Sequence, residues 1–298
     1  MCGIVGLLIK NPAWRDRLGE LMVPMLVGMS SRGPDSAGLA VFSEPVPSPR
    51  YKLSLYSGSA AVDWSRLLDG LAAAFSHEHH LSATANHAVL TTDADSHALV
   101  EWLGANAPSV QVLSAGRSID LYKDTGPPAE IAKRYAFKRL RGTHLIGHTR
   151  MATESAVTPA HAHPFTAGHD FCLVHNGSLS NPHLVRRKLE PLGIRFVTDN
   201  DTEAACRYFE WRMREGDSLV TAVKRGFEEL DGFFTFLMGT DAEILIVRDP
   251  FACKPAMVAE TDDYVAIASE FRSLAHLPGI RHAAVFEPKP AEVYSWRV

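Results

Sequence analysis

Apolar residues recur along this chain in two rhythms. Short apolar runs bounded by Gly, Pro, Asp or Asn read as buried strands: Cys2–Ile9, Leu39–Phe42, Tyr51–Tyr56, Ala88–Thr92, Thr143–His148 and Phe171–His175. The C-terminal part is strand-rich, with Phe234–Thr240, Glu243–Asp249, Met257–Glu260, Tyr264–Ser269 and Glu292–Arg297; such runs suit sheets packed between other layers. The other segments have helical spacing. In Arg17–Met29, the residues Leu18, Leu21, Met22, Met25, Leu26 and Met29 share one side, and Pro24 is expected to kink or split that helix. Helices are also expected over Trp64–Phe75 (capped by Asp63), Ser96–Ala105, Ala129–Arg139, His183–Leu192, Asp201–Arg214 and Ser218–Leu230.

The order of elements suggests an insertion. Ser43–Arg50 carries Pro45, Pro47 and Pro49 and reads as a loop. From there to Gly126 the chain runs β-α-β-α-β-β, ending in a hairpin of Val110–Ser114 and Ser118–Tyr122 around Gly116. Residues 43–126 are therefore expected to form a small α/β subdomain within a main domain of residues 2–298.

Composition narrows the function classes. The 298 residues are 46% apolar and 21% charged, as in ordinary globular proteins. A formal net charge of −4 argues against a nucleic-acid binder. No apolar run approaches the ~18 residues of a membrane span, and no targeting peptide is recognisable, so a cytoplasmic location is expected. Cys2, Cys172, Cys206 and Cys253 are far apart and form no Cys-x-x-Cys pair, which favours free thiols over a disulfide framework or a zinc site. His77-Glu78-His79-His80 reads as a solvated loop rather than a metal site, and no metal or cofactor is expected. Lys133, Arg134, Lys138, Arg139 and Arg141 read as a solvated basic face, with partner docking as the alternative.

The candidate chemistry begins at Cys2. If Met1 is removed, this residue carries a thiol and a free α-amine, with unperturbed pKa values of about 8.5 and about 7.7–8.0. The amine, directly or through one water, is then placed to act as the base the thiol needs. The competing reading is an ordinary buried cysteine at the start of a strand. Three further segments end strands or begin helices with polar groups: Gly147-His148-Thr149-Arg150, His175-Asn176-Gly177 and Asp199-Asn200-Asp201-Thr202-Glu203. Arg150 is the natural clamp for a carboxylate, because a guanidinium pairs bidentately with one. Asn176 and Gly177 supply a side-chain amide and a backbone N–H for an oxyanion. Asp201 could hold an ammonium group, or it could be no more than a helix cap.

Taken with Met1-Cys2-Gly3-Ile4-Val5-Gly6 and Arg32-Gly33-Pro34-Asp35-Ser36-Ala37-Gly38, these motifs resemble the class II glutamine amidotransferases, which are N-terminal-nucleophile hydrolases. The motifs stand in the family's order, and the resemblance spans nearly the whole chain outside 43–126. It implies a four-layer αββα sandwich that hydrolyses L-glutamine through a γ-glutamyl thioester. By resemblance, Cys2 is the nucleophile, Asn176 and Gly177 form the oxyanion hole, and Arg150 with Thr153 binds the substrate carboxylate. Asp201 binds its ammonium, and Arg32 lies on a loop closing around the site. His163 matches a structural histidine, and Arg248-Asp249-Pro250 and Ala268-Ser269-Glu270 resemble architectural motifs. The chain departs from the pattern at Met151 and Glu154, where the family often has Trp and His, and no acceptor domain is recognisable. By the same resemblance a separate, flavin-containing synthase subunit is expected to receive the ammonia, as in glutamate-synthase-like systems including N-methylglutamate synthase. A glutamine-binding regulatory module and an amidohydrolase acting on another amide are the alternatives.

Overall fold

The computed structural model describes residues 2–58, 62–152 and 156–298. Among them the chain begins with β1 (Gly3–Ile9), α1 (Leu18–Gly28) and β2 (Ser36–Phe42). Next come β3 (Tyr51–Ser57), α2 (Trp64–Ala74), β4 (His79–Thr84), β5 (His87–Thr92), α3 (Ser96–Asn106) and β6 (Val110–Gly116). The chain continues through β7 (Ile119–Thr125), α4 (Pro128–Arg134), β8 (His144–Arg150), β9 (Phe165–Thr166) and β10 (Phe171–Leu179). Three helices follow: α5 (Pro182–Leu189), α6 (Asp201–Arg214) and α7 (Leu219–Glu229). The strands β11 (Gly232–Thr240), β12 (Glu243–Arg248), β13 (Met257–Glu260), β14 (Tyr264–Ala268), β15 (Ala284–Phe286) and β16 (Val293–Arg297) complete it.

Two antiparallel sheets form the centre, ordered β15-β13-β14-β1-β8-β2-β7 and β16-β12-β11-β10-β9. Strand alternation decides which layer each side chain enters. On β1, Val5, Leu7 and Ile9 join a cluster with Leu18, Met22, Met25 and Leu26 of α1. Ile4 and Leu8 face the other way and meet Cys172, Val174, Leu237 and Ile246 of the second sheet. Leu173 and Phe171 on β10 turn outward to Ala205, Phe209 and Val223 of α6 and α7. Helix, sheet, sheet and helix are therefore stacked as the αββα sandwich the motifs implied, an arrangement that buries both faces of β1 and β10. Truncating a residue such as Leu7 would cost about 2–5 kcal/mol, because no layer can relax alone. No described helix is long and apolar enough to cross a membrane.

The segment from β3 to β6 makes a third sheet, ordered β4-β5-β3-β6, with the βαββαβ connectivity of ferredoxin-like units. Leu67, Leu71, Leu99 and Leu103 of its helices cover one face, against Leu53, Leu55 and Leu90. The opposite face meets β7 through polar groups. Leu121 N donates to Ser54 Oγ at 2.8 Å, and Lys52 pairs with Asp120 at 2.8 Å. The expected 110–122 hairpin is thus divided, with β6 in the small sheet and β7 at the edge of the large one.

Three local expectations change. Pro24 lies inside α1 without splitting it: Glu20 and Pro24 are both exposed, so the carbonyl that loses its partner is on the wet face. The helix expected to run to Arg139 stops at Arg134. Ala136 takes a left-handed conformation (φ 51°), and a single 3-10 turn over Phe137–Arg139 follows. The loop expected at His77–His80 instead leads into β4, an edge strand on which His79 Nδ1 lies 3.0 Å from Thr92 Oγ1.

Candidate active site

Cys2 immediately precedes β1, and strand pairing determines its neighbours. β1 and β8 are antiparallel with Gly3 opposite Thr149, so the next step of the same register sets Cys2 beside Arg150. Ser36 of β2 faces Arg150 from the other side. The Arg32–Gly38 loop folds over these strand ends. Gly33 permits this approach, since a Cβ there would stand 2.4 Å from the Thr149 carbonyl oxygen. Asp35 fastens the loop: its backbone N–H donates to Arg150 O at 3.0 Å, and its Oδ2 accepts from Ala152 N at 2.8 Å.

Arg32 is buried and turned toward Cys2. Its Nε donates to the Cys2 carbonyl at 2.9 Å, and its Nη1 pairs with Glu270 at 2.7 Å, while Nη2 is buried without a partner among the described residues. Ser269 is also engaged, with its Oγ accepting from Ile4 N at 2.9 Å. The Ser269-Glu270 segment, read from sequence as architectural, therefore braces the start of β1 directly. Burial pushes the Cys2 thiol above its usual pKa, opposed by the Arg150 and Arg32 guanidinium groups. A thiol held protonated in this way must lose its proton at the moment of attack, so a neighbouring base is needed. Arg150 is buried, and its Nη1 donates to Ala156 O at 3.0 Å. Thr153, expected to assist it, lies outside the described residues.

Asn176 and Gly177 come from β10 in the other sheet. His148 Nε2 lies 2.9 Å from the His175 carbonyl oxygen and bridges the two sheets at this point. Asn176 is 2% exposed, and its Nδ2 has no hydrogen-bond partner among the described residues. Buried amide donors are nearly always satisfied, so this one is open to a hydrogen-bond acceptor from outside the described residues. Gly177 has φ +151°, and a Cβ there would lie 1.8 Å from the Phe233 carbonyl oxygen, so only glycine fits.

Asp201 resolves an ambiguity left by the sequence. The cap of α6 is Asn200, whose side chain accepts from Thr202 N at 2.8 Å. Asp201 Oδ2 instead accepts from Leu179 N at 2.9 Å, and its Oδ1 lies 3.6 Å from His175 Nδ1. Burial works against the charge, but His175, the Leu179 N–H and the Thr202 hydroxyl outweigh it and hold the pKa at about 2. The first sheet therefore sets a thiol near two guanidiniums, while β10 and the start of α6 carry an orphaned amide and an ionised carboxylate, and the His148–His175 bond ties the two sheets together between them. In the sequence, Asp35 and Thr202 stand within motifs without either having a role of its own, and Glu270 reads as architectural. Glycines and prolines hid Asp35, and an apparently routine helix start hid Thr202; the available signal was a histidine in each of two otherwise apolar strands, His148 in β8 and His175 in β10.

The chain is similar to known proteins over its whole length. Residues 148–276 match the glutamine amidotransferase domain family. It is 46% identical to the glutamine amidotransferase-like protein GlxB of Rhizobium meliloti (strain 1021), over 99% of this chain and 98% of that one. It is 32% identical to a putative glutamine amidotransferase of Methanothermobacter thermautotrophicus, over 99% of both chains. Among solved structures, an allosteric regulatory enzyme of purine biosynthesis shares the fold, with a TM-score of 0.64 and 18% identity. The match covers 99% of this chain but only 46% of that enzyme's chain.

Proposed function

Since the chain belongs to the class II glutamine amidotransferases, we propose that it hydrolyses L-glutamine at the site around Cys2 and passes the ammonia to a separate synthase subunit. In this reading residues 2–298 are one catalytic domain, 43–126 are an insert in it, and the protein works in the cytoplasm. The Cys2 thiol attacks the side-chain amide carbon of glutamine. The Cys2 α-amine, freed by removal of Met1, takes the thiol proton directly or through a water and returns it to the departing nitrogen as ammonia leaves. Water then attacks the γ-glutamyl thioester; the amine takes a proton from it and returns one to sulfur, releasing glutamate.

Asn176 Nδ2 and the Gly177 N–H stabilise the oxyanion, Arg150 pairs with the substrate carboxylate, and Asp201 pairs with its ammonium. Arg32 orients Cys2 through its carbonyl and forms part of the surrounding loop. The observation that carries the assignment is the buried amide of Asn176, unpartnered among the described residues, together with the ionised Asp201 near the end of the same strand. An oxyanion-hole donor is most effective when it is already oriented and desolvated before the reaction, as this amide is. A cation and an anion flanking the site suit an α-amino acid better than another amide.

The test is glutamine turnover by protein whose intact mass shows Met1 removed. Ammonia release abolished by Cys2→Ala is expected. Tight glutamine binding without ammonia release would instead indicate a regulatory module, and active protein that retains Met1 would refute the α-amine base. For the acceptor we propose a flavin-containing, glutamate-synthase-like subunit, of which N-methylglutamate synthase is the example closest to hand. Support comes from the two relatives matched along 98% and 99% of their own lengths, in contrast to the purine enzyme matched along 46%. Copurification from the native source, with mass spectrometry of the bound chains, should find such a subunit; its absence would refute this part.

A further inference from the structure

Under the strand ends lies a buried polar cluster to which the proposed chemistry assigns no part. His148 of β8 and His163 stack with ring centroids 4.1 Å apart, and His175 of β10 completes the group. His163 Nε2 at 2.9 Å and His175 Nδ1 at 3.1 Å converge on one atom, Thr202 Oγ1. Thr202 Oγ1 in turn lies 3.3 Å from Asp201 Oδ1. A hydroxyl has one proton and two lone pairs. With its proton donated to the carboxylate, both lone pairs accept, and each ring must present an N–H: Nε2 on His163 and Nδ1 on His175. The bookkeeping closes: among the described residues, the cluster's ring nitrogens without partners are His148 Nδ1, His163 Nδ1 and His175 Nε2, which need carry no proton. Burial also keeps the stacked pair neutral, with His148 pushed down to about 3 and His163 well below its ordinary value.

We propose that Thr202 is a positioning residue for substrate recognition: its hydroxyl sets His175 as the Nδ1–H tautomer and holds the Asp201 carboxylate against the end of β10, ready for an ammonium group. This rests on the reading of Asp201 given above. Without the hydroxyl, the His175 N–H has only Asp201 Oδ1 to bond, the 3.6 Å gap between them closes, and part of the charge meant for substrate is used internally. The loss is thus one of ground-state binding, carried equally into the transition state.

The experiment compares Thr202→Val, which keeps the shape, with Thr202→Ser, which keeps the hydroxyl. Thr202→Val should raise the KM for glutamine about tenfold, the size of one hydrogen bond to a charged group, with kcat within about threefold. Thr202→Ser should restore KM to within about twofold of the parent. NMR of the 15N-histidine-labelled parent protein should show His175 as the neutral Nδ1–H form, a readout that needs neither variant to fold nor any activity. Unchanged KM in Thr202→Val, equal damage from Val and Ser, or an Nε2–H His175 in the parent would each overturn the proposal. A parent protein that turns over no glutamine would refute the functional reading instead, and the NMR arm would still decide the tautomer.

Discussion

Replacing Asn176 with leucine separates the cost of folding this site from the benefit of using it. The two side chains share their branching pattern and number of heavy atoms, with leucine the bulkier of the two at this 2%-exposed position. What disappears is the amide: the Oδ1 acceptor, and with it Nδ2, a buried donor with no partner among the described residues. Leaving such a donor unsatisfied costs about 1–3 kcal/mol, so its removal should leave the ligand-free protein no less stable, and up to about 3 kcal/mol more stable. In thermal unfolding that is a rise of a few degrees, since about 1 kcal/mol moves the midpoint of a domain this large by roughly 2–4 °C. Turnover should move the other way. Losing one oxyanion donor costs about 2.7–4 kcal/mol of transition-state stabilisation, a fall of about 10²–10³ in kcat. KM should hardly change, because the negative oxygen exists only beyond the ground state. The assays are ammonia release under saturating glutamine and thermal unfolding of the free protein. A variant that loses stability and activity together would refute the reasoning, because it would make Asn176 a structural residue.

Gly177→Ala should destabilise the protein by more than about 2 kcal/mol in chemical denaturation, since the new Cβ meets Phe233 O at 1.8 Å and the φ of +151° is strained for alanine; an unchanged denaturation midpoint would contradict it. Asp201→Asn should raise the KM for glutamine by about a hundredfold, as expected when one member of a buried ion pair is removed, with a smaller effect on kcat; steady-state kinetics with an unmoved KM would remove Asp201 from substrate recognition. The buried histidines predict acid sensitivity of definite sign. Burial lowers His87 and His144 to about 4 and His148 to about 3, so between those values and about 6.5 the unfolded chain binds protons that the folded one refuses. Each should remove about 1.4 kcal/mol of stability per pH unit as pH falls through that window. Urea unfolding at pH 7 and pH 5 should therefore differ by several kcal/mol, and equal stabilities would refute the neutral, buried state. Asp201 adds a later loss: its folded pKa of about 2 contributes about 2.5 kcal/mol that is fully present above the unfolded value near 3.9 and disappears as pH falls through 2.

The sequence by itself determined the layers and the motifs. Apolar runs broken by Gly, Pro and Asp marked the strands, because a strand buried on both faces has few polar positions. A 3.6-residue rhythm gave α6 its observed limits, Asp201–Arg214. The pairing of a second-position cysteine with the Arg150, Asn176-Gly177 and Asp201 segments was legible because each motif is short, local and chemically distinctive. Less legible was anything set by partners far along the chain. Whether Asp201 caps its own helix or serves β10 depends on Leu179 and His175, which are more than twenty residues away. The division of the 110–122 hairpin between two sheets depends on Ser54 and Lys52 competing for β7, and local propensity says nothing about that competition. The protonation of the stacked histidines is likewise a tertiary property: burial between the layers keeps His148 and His163 neutral. Local patterning specifies which residues are available to the site. Only packing between sheets decides which of their polar atoms are used up holding the fold together, and which, like Asn176 Nδ2, have no partner among the described residues.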